Sequence, residues 1–173
     1  WCWYERDFDC DWEPLELHHS RVILHFGAVD YHARVWVNDV MVAEHEGGHT
    51  PFSADITRAL AKGGRQRLTL RAEDDPHDLE KPRGKQDWRP EPHGIWYPRT
   101  TGIWQAVWFE RVADVYVKSV HWTPNVERWE IGVHASIAGR DQDDLYLSVE
   151  LHCGGQMLAQ DTYRVVQQEV QRR

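Results

Sequence analysis

VILHFGAVDYHARVWVNDVMVA, residues 22–43, repeats its apolar side chains at every second position. Val22, Leu24 and Phe26 alternate with Ile23, His25 and Gly27, the pattern of a strand whose two faces are both at least partly covered. In the next run Val35 and Val37 point one way and Arg34 and Trp36 the other. Asn38-Asp39 then offers a hairpin turn that returns through Val40 to Ala43. Period two persists on both sides of this stretch. Residues 66–73 (QRLTLRAE) set Leu68, Leu70 and Ala72 against Arg67, Thr69 and Arg71. Residues 103–110 set Ile103, Gln105, Val107 and Phe109 against Trp104, Ala106 and Trp108. The connections are long and polar. Residues 46–64 hold one helical turn, Asp55 to Ala61, ended by Gly63-Gly64. Residues 74–101 carry no regular pattern, and a loop of that length inside a compact domain is usually functional or packed by its own side chains. Short strands joined by long, aromatic-rich loops predict a jelly-roll sandwich rather than a barrel.

A second pattern starts near Val115. VYVKSVHW (115–122), WEIGVHASI (129–137) and LYLSVEL (145–151) follow at even spacing. Trp129, Ile131, Val133, Ala135 and Ile137 share one face, and Leu145, Leu147, Val149 and Leu151 repeat the pattern. Cys153-Gly154-Gly155 turns toward Gln156 to Ala159, and TYRVVQQEV (162–170), ambiguous between helix and strand, is assigned as strand. This is the spacing of an immunoglobulin-like sandwich, of which about 55 residues supply only part. The expected organisation is all-β: a jelly-roll domain over residues 1–113 and an incomplete immunoglobulin-like sandwich over 114–173. An open sheet edge beside uncovered apolar surface adds an expectation of self-association through residues 115–170.

Bulk composition narrows the function. A net charge of −8 argues against a phosphate-binding surface, so nucleic acid is not an expected partner. No apolar run approaches the ~20 residues of a membrane span. The three cysteines, Cys2, Cys10 and Cys153, show no zinc or CxxC spacing and are read as free thiols. With no visible signal peptide, they favour a cytoplasmic location, although a chain opening at Trp1 is expected to lack an upstream segment.

Ten tryptophans are too many for a generic domain. PHGIWYPRTTGIWQAVWFE, residues 92–110, holds three of them with Tyr97 and Phe109. Three explanations compete: a packed core, a platform for stacking sugars, or a face that docks onto another body. Just upstream, PRGKQDW (82–88) presents Arg83, Lys85 and Gln86, directional donors suited to sugar hydroxyls or a carboxylate, against the plainer reading of a solvated turn around Gly84.

WYERDF (3–8), the stretch from Val22 to Thr57, PRGKQDW (82–88) and GIWYPRTTGIWQAVWFE (94–110) together resemble the N-terminal part of glycoside hydrolase family 2. That family includes β-galactosidases, β-glucuronidases and β-mannosidases. The resemblance implies a galactose-binding-like jelly roll, an immunoglobulin-like domain and then a catalytic (β/α)8 barrel, the last not in this chain. It also implies that GIWQAVWFE is a core strand, with Trp104, Trp108 and Phe109 packing, and that the preceding loop leans toward the active-site mouth. Trp96, Tyr97 and Arg99 are then candidate substrate-contacting or interface residues, with Arg83, Lys85 and Gln86. Several family members carry a substrate-contacting aspartate where this chain has Trp96, a departure that removes a charged sugar contact, so the resemblance alone does not imply galactosidase or glucuronidase specificity.

A retaining glycosidase needs two carboxylates ~5–5.5 Å apart, and no pair here is framed for that work. Glu5, Asp7, Asp9, Asp11, Asp74-Asp75, Asp141, Asp143 and Asp144 are read as solvated surface charge. Neither His18-His19 nor His45 and His49, which flank Glu46-Gly47-Gly48, is read as a metal site. No catalytic residue, metal or cofactor is therefore expected. The expected role is a non-catalytic portion of a β-glycosidase that braces the barrel and lends a loop to a β-glycoside cleft. A stand-alone carbohydrate-binding module and a purely structural interaction domain are the alternatives.

Overall fold

A computed structural model describes residues 1–10, 19–139 and 144–172. Asp11, His18, Asp141 and Asp143 lie outside the described residues. Two compact units follow one another, Trp1–Arg111 and Val112–Arg173.

In the first unit the strands are β1 (Cys2–Asp9), β2 (Ser20–Phe26), β3 (Val29–Asp30), β4 (His32–Val37), β5 (Val40–Glu46), β6 (Phe52–Asp55), β7 (Arg65–Glu73), β8 (Gly102–Ile103) and β9 (Val107–Ala113). They form antiparallel sheets of order β1-β7-β4-β5 and β6-β2-β9, with a short β3-β8 pair. Val22, Leu24 and Phe26 of β2 meet Val35 and Val37 of β4 and Leu70 and Ala72 of β7 in one buried cluster. Fully burying each large aliphatic or aromatic side chain of this kind contributes roughly 1.5–3 kcal/mol. Phe26 stacks on Phe52 at 4.7 Å, tying β2 to β6. An open, largely apolar pocket of about 670 Å³ is lined in part by Tyr4, Phe8, Leu24, Leu70, Val107 and Phe109.

The β4–β5 hairpin turns where the alternation places it. Asn38 and Asp39 take φ of 47° and 67°, the two left-handed residues that match the right-handed twist of paired strands. Asn38 does more than turn. Its side-chain amide donates to the Ala59 carbonyl at 2.9 Å and to Gln66 Oε1 at 2.6 Å, while its oxygen accepts the Arg67 N–H at 2.9 Å. The helical turn expected over Asp55 to Ala61 is shorter, a 3₁₀ turn over Thr57–Ala59 that gives way to extended Leu60.

The continuous strand expected over 103–110 is broken. β8 ends at Ile103 and β9 begins at Val107. Across the gap the Gly27 N–H donates to the Ala106 carbonyl at 2.9 Å, and Gln105 closes over Gly27. A Cβ at position 27 would lie 2.8 Å from the Gln105 Cβ, so only glycine admits this approach. The break also corrects the packing assignment. Ile103 and Val107 do reach the core, but Trp104 is 52% exposed, and Trp108 and Phe109 are only partly covered, packed on His25 at 4.9 Å and Phe8 at 5.1 Å.

In the second unit β10 (Val115–Asn125), β11 (Glu130–Gly139) and β14 (Glu169–Arg172) form a sheet, and β12 (Tyr146–Cys153) pairs with β13 (Gln156–Arg164). Val133, Ala135 and Ile137 are buried with Val170. Trp129 does not join their face: it sits before β11 at φ 53° and is 93% exposed. The segment 162–170 is extended at both ends, where it completes β13 and opens β14, with Gln167 and Gln168 turning between them at φ 52° and 61°. Among the described residues no helix is long and apolar enough to cross a membrane.

Candidate functional site

The loop between β7 and β8 contains every sequence-derived site residue, and it is ordered by its own polar groups. Asp75 and Asp78 each accept the backbone N–H two residues on, from His77 at 2.9 Å and Glu80 at 3.0 Å. These are local turns of the kind Asp favours. Further along, Tyr97 N–H donates to the Lys85 carbonyl at 2.9 Å and Asp87 N–H to the Tyr97 carbonyl at 2.8 Å. That parallel bridge between Gln86 and Tyr97 brings PRGKQDW and GIWYPRT side by side.

Asp87 is the centre of the arrangement. Its carboxylate is fully buried and accepts the Arg89 N–H at 3.0 Å, the His93 N–H at 2.7 Å and His93 Nδ1 at 2.6 Å. Burial pulls its pKa upward, but the hydrogen bonds to Arg89 and His93 outweigh that and hold it below the ordinary carboxylate value. An ionised Asp87 can only accept, so Nδ1 of His93 carries the proton. Around this pair stand Trp88, edge-on to His93 at 5.3 Å, and Trp96, edge-on to Trp88 at 5.5 Å.

The six sequence-derived residues separate by what their side chains touch. Gln86 donates to Asp30 Oδ2 at 3.1 Å and accepts the Thr100 N–H at 2.6 Å, so its side chain holds the loop to β3. Arg83 reaches back to the Asp78 carbonyl at 2.9 Å. Lys85 is exposed. Tyr97 is 61% exposed, whereas Trp96 is half-buried against Trp88. Arg99 turns inward, and its Nη1 is buried without a hydrogen-bond partner among the described residues. It lines a cavity of about 20 Å³ with Asp30, Asp74, Asp78, Lys81 and Gln86. That is space for about one water molecule and none for a sugar ring. A ligand at this loop meets its outer surface.

Asp74 corrects the reading of solvated surface charge. Its side chain is mostly covered, with Lys81 Nζ 3.8 Å away. Burial first, and the Asp30 carboxylate second, push its pKa above the ordinary value despite Lys81 and Arg83. Asp30 in turn meets the 46–50 loop: a Cβ on Gly48 would lie 2.6 Å from Asp30 Oδ1, and the Gly48 carbonyl accepts Trp104 Nε1 at 2.7 Å. His45, on β5, bonds Thr50 at 2.9 Å and stacks on Phe52 at 4.4 Å. Sequence reasoning missed Asp87 and His93. The signal available was an acid between Gln86 and Trp88 inside an otherwise basic phrase, six residues before a histidine that precedes a glycine.

The fold is all-β, with an ordered, aromatic-rich loop between β7 and β8. The sequence profile described as glycosyl hydrolase 2 galactose-binding domain-like matches residues 1–105, and the chain belongs to that family. A β-glucuronidase of Felis catus is 48% identical over 63 residues, 36% of this chain and 10% of the relative. A β-galactosidase of Thermoanaerobacter pseudethanolicus is 31% identical over 142 residues, 80% of this chain and 18% of the relative. The crystal structure of a Parabacteroides merdae β-glucuronidase superposes with a TM-score of 0.73 at 15% identity, covering 99% of this chain and 23% of that one. The chain thus spans less than a quarter of the length of each of these proteins.

Proposed function

We propose that this chain is a non-catalytic portion of a retaining β-glycosidase, bracing a catalytic barrel and lending the 82–101 loop to its substrate cleft. The family match over residues 1–105 carries this reading, because both named relatives are glycosidases several times longer than the chain. The loop supports it chemically. Arg83, Gln86 and Asp87 hold its shape, while Lys85, Trp88 and Tyr97 remain exposed on its surface. Pre-shaped loops on rigid sandwiches are where contacts to a ligand concentrate. The jelly-roll identity of the first unit and the immunoglobulin-like identity of the second belong to this proposal, and so does a β-glycoside as the substrate class.

The test is made in the enzyme that carries the chain. Trp96→Ala and Tyr97→Ala are expected to lower kcat/KM on an aryl β-glycoside by about tenfold, or ~1.4 kcal/mol of transition-state binding, with a smaller change in Tm. Unchanged kcat/KM alongside a clear fall in Tm would assign the loop to structure alone.

A further inference from the structure

We propose that Trp88 and His93 form a contact surface for a neutral pyranoside ring, with Asp87 as the residue that positions His93. The proposal rests on the reading of the loop as a glycoside-contacting element and names the groups that make the contact. Trp88 is 43% exposed and the His93 side chain 37%, and the two rings stand edge to face at 5.3 Å. Trp96 stands edge to face with Trp88 at 5.5 Å. The exposed part of an indole held this way offers a negative π surface that matches the slightly positive C–H edge of a sugar ring.

His93 supplies the polar half. Its Nδ1–H and its backbone N–H are both given to the buried carboxylate of Asp87. The ring orientation is therefore set, and Nε2 is the nitrogen left for a ligand. Nε2 accepts a hydrogen bond when the ring is neutral and donates one when it is protonated. A sugar hydroxyl serves both states, since it donates and accepts. A carboxylate serves only the protonated one, which is why a neutral sugar is the better match. Few polar groups beside an aromatic surface, each fixed from behind, is the composition of a small-ligand site.

The experiment uses the 173-residue chain labelled for NMR, titrated with methyl β-D-galactopyranoside and methyl β-D-glucopyranoside. The Trp88 indole N–H and the His93 ring resonances are expected to move together and to yield one dissociation constant. Trp88→Ala should weaken binding about tenfold or more. His93→Gln, which retains hydrogen-bonding capacity, should weaken it less than His93→Ala. If no glycoside moves these two residues, or if they move with protein concentration instead of sugar, the surface is not a sugar site. The latter result would make it a protein contact. Either failure, with Trp96→Ala still lowering kcat/KM in the longer enzyme, would sink this inference and leave the accessory role standing.

Discussion

Two aspartates in one loop are pushed in opposite directions, and each gives a pH dependence of opposite sign. Asp87 is held ionised by the Arg89 and His93 N–H groups and the His93 ring against the pull of burial. Its folded pKa lies below the unfolded one, so its contribution is fully present above the ordinary carboxylate range and is lost as pH falls through the depressed folded value. Acidification should therefore release the Trp88–His93–Trp96 cluster, read as collapse of the Trp88 and Trp96 indole N–H shifts toward random-coil positions before the β2 amides lose protection. Indole shifts that stay dispersed until the whole unit unfolds would show that Asp87 is not what holds the loop. For Asp74 the cause is burial beside Asp30, and the folded pKa is raised. The folded chain then favours the protonated acid, and stability declines as pH rises from the unfolded value through the folded one. Asp74→Asn, which keeps the shape without the charge, should raise Tm at neutral pH and leave it unchanged in acid. A lower Tm at neutral pH would mean that the contact with Lys81, 3.8 Å away, outweighs the desolvation.

At the scale of elements, two polar side chains stitch the hairpin to the turn that follows it. Asn38 bonds Ala59, Gln66 and Arg67, and Gln66, almost wholly buried, accepts the Ala61 N–H at 2.8 Å. Asn38→Ala removes three hydrogen bonds, strands partners inside the fold and puts alanine at positive φ, and chemical denaturation should show a loss of about 2–3 kcal/mol. The broken strand gives a sharper test. Gly27→Ala should cost about 1–3 kcal/mol by overpacking against Gln105, and adding Gln105→Gly should recover most of it, a coupling that unrelated sites would not show. These elements also mark what the sequence disclosed. Strands β2, β4 and β7 were legible because apolar side chains recur at every second position in them, and β5 because Asn38-Asp39 is a sterically specific turn that sends the chain back. The break at Trp104–Ala106 was hidden because Ile103, Gln105 and Val107 keep period two across it. Only Gly27, far away in sequence, records the close approach. In the loop, Trp96 and Tyr97 entered as candidates through the resemblance, while the Asp87–His93 pair depends on a chain reversal that no local periodicity encodes.

Across the whole molecule, burial is distributed unevenly between the two units. All but four of the buried apolar residues of the described chain belong to Trp1–Arg111; the exceptions are Val133, Ala135, Ile137 and Val170. This fits the difference in sequence legibility. β2 is apolar on both faces and buried almost throughout, whereas β12 alternates half-buried with exposed positions along its length. Among the described residues β12 pairs with β13 alone, and an isolated two-stranded hairpin is marginally stable in water. Local opening free energy follows buried contacts and protected backbone hydrogen bonds. Native-state hydrogen exchange on the monomer should therefore find the slowest amides in β2, β4 and β7, intermediate ones in β10 and β11, and the fastest strand amides in β12 and β13. The same ordering predicts that denaturant opens Val112–Arg173 first, so that the buried Val133 and Ala135 methyl groups of β11 report a transition preceding the one seen by amides of β2. A single coincident transition, with β12 and β13 protected as strongly as β2, would mean that the hairpin is covered as well as the first unit's core and that the two units unfold together.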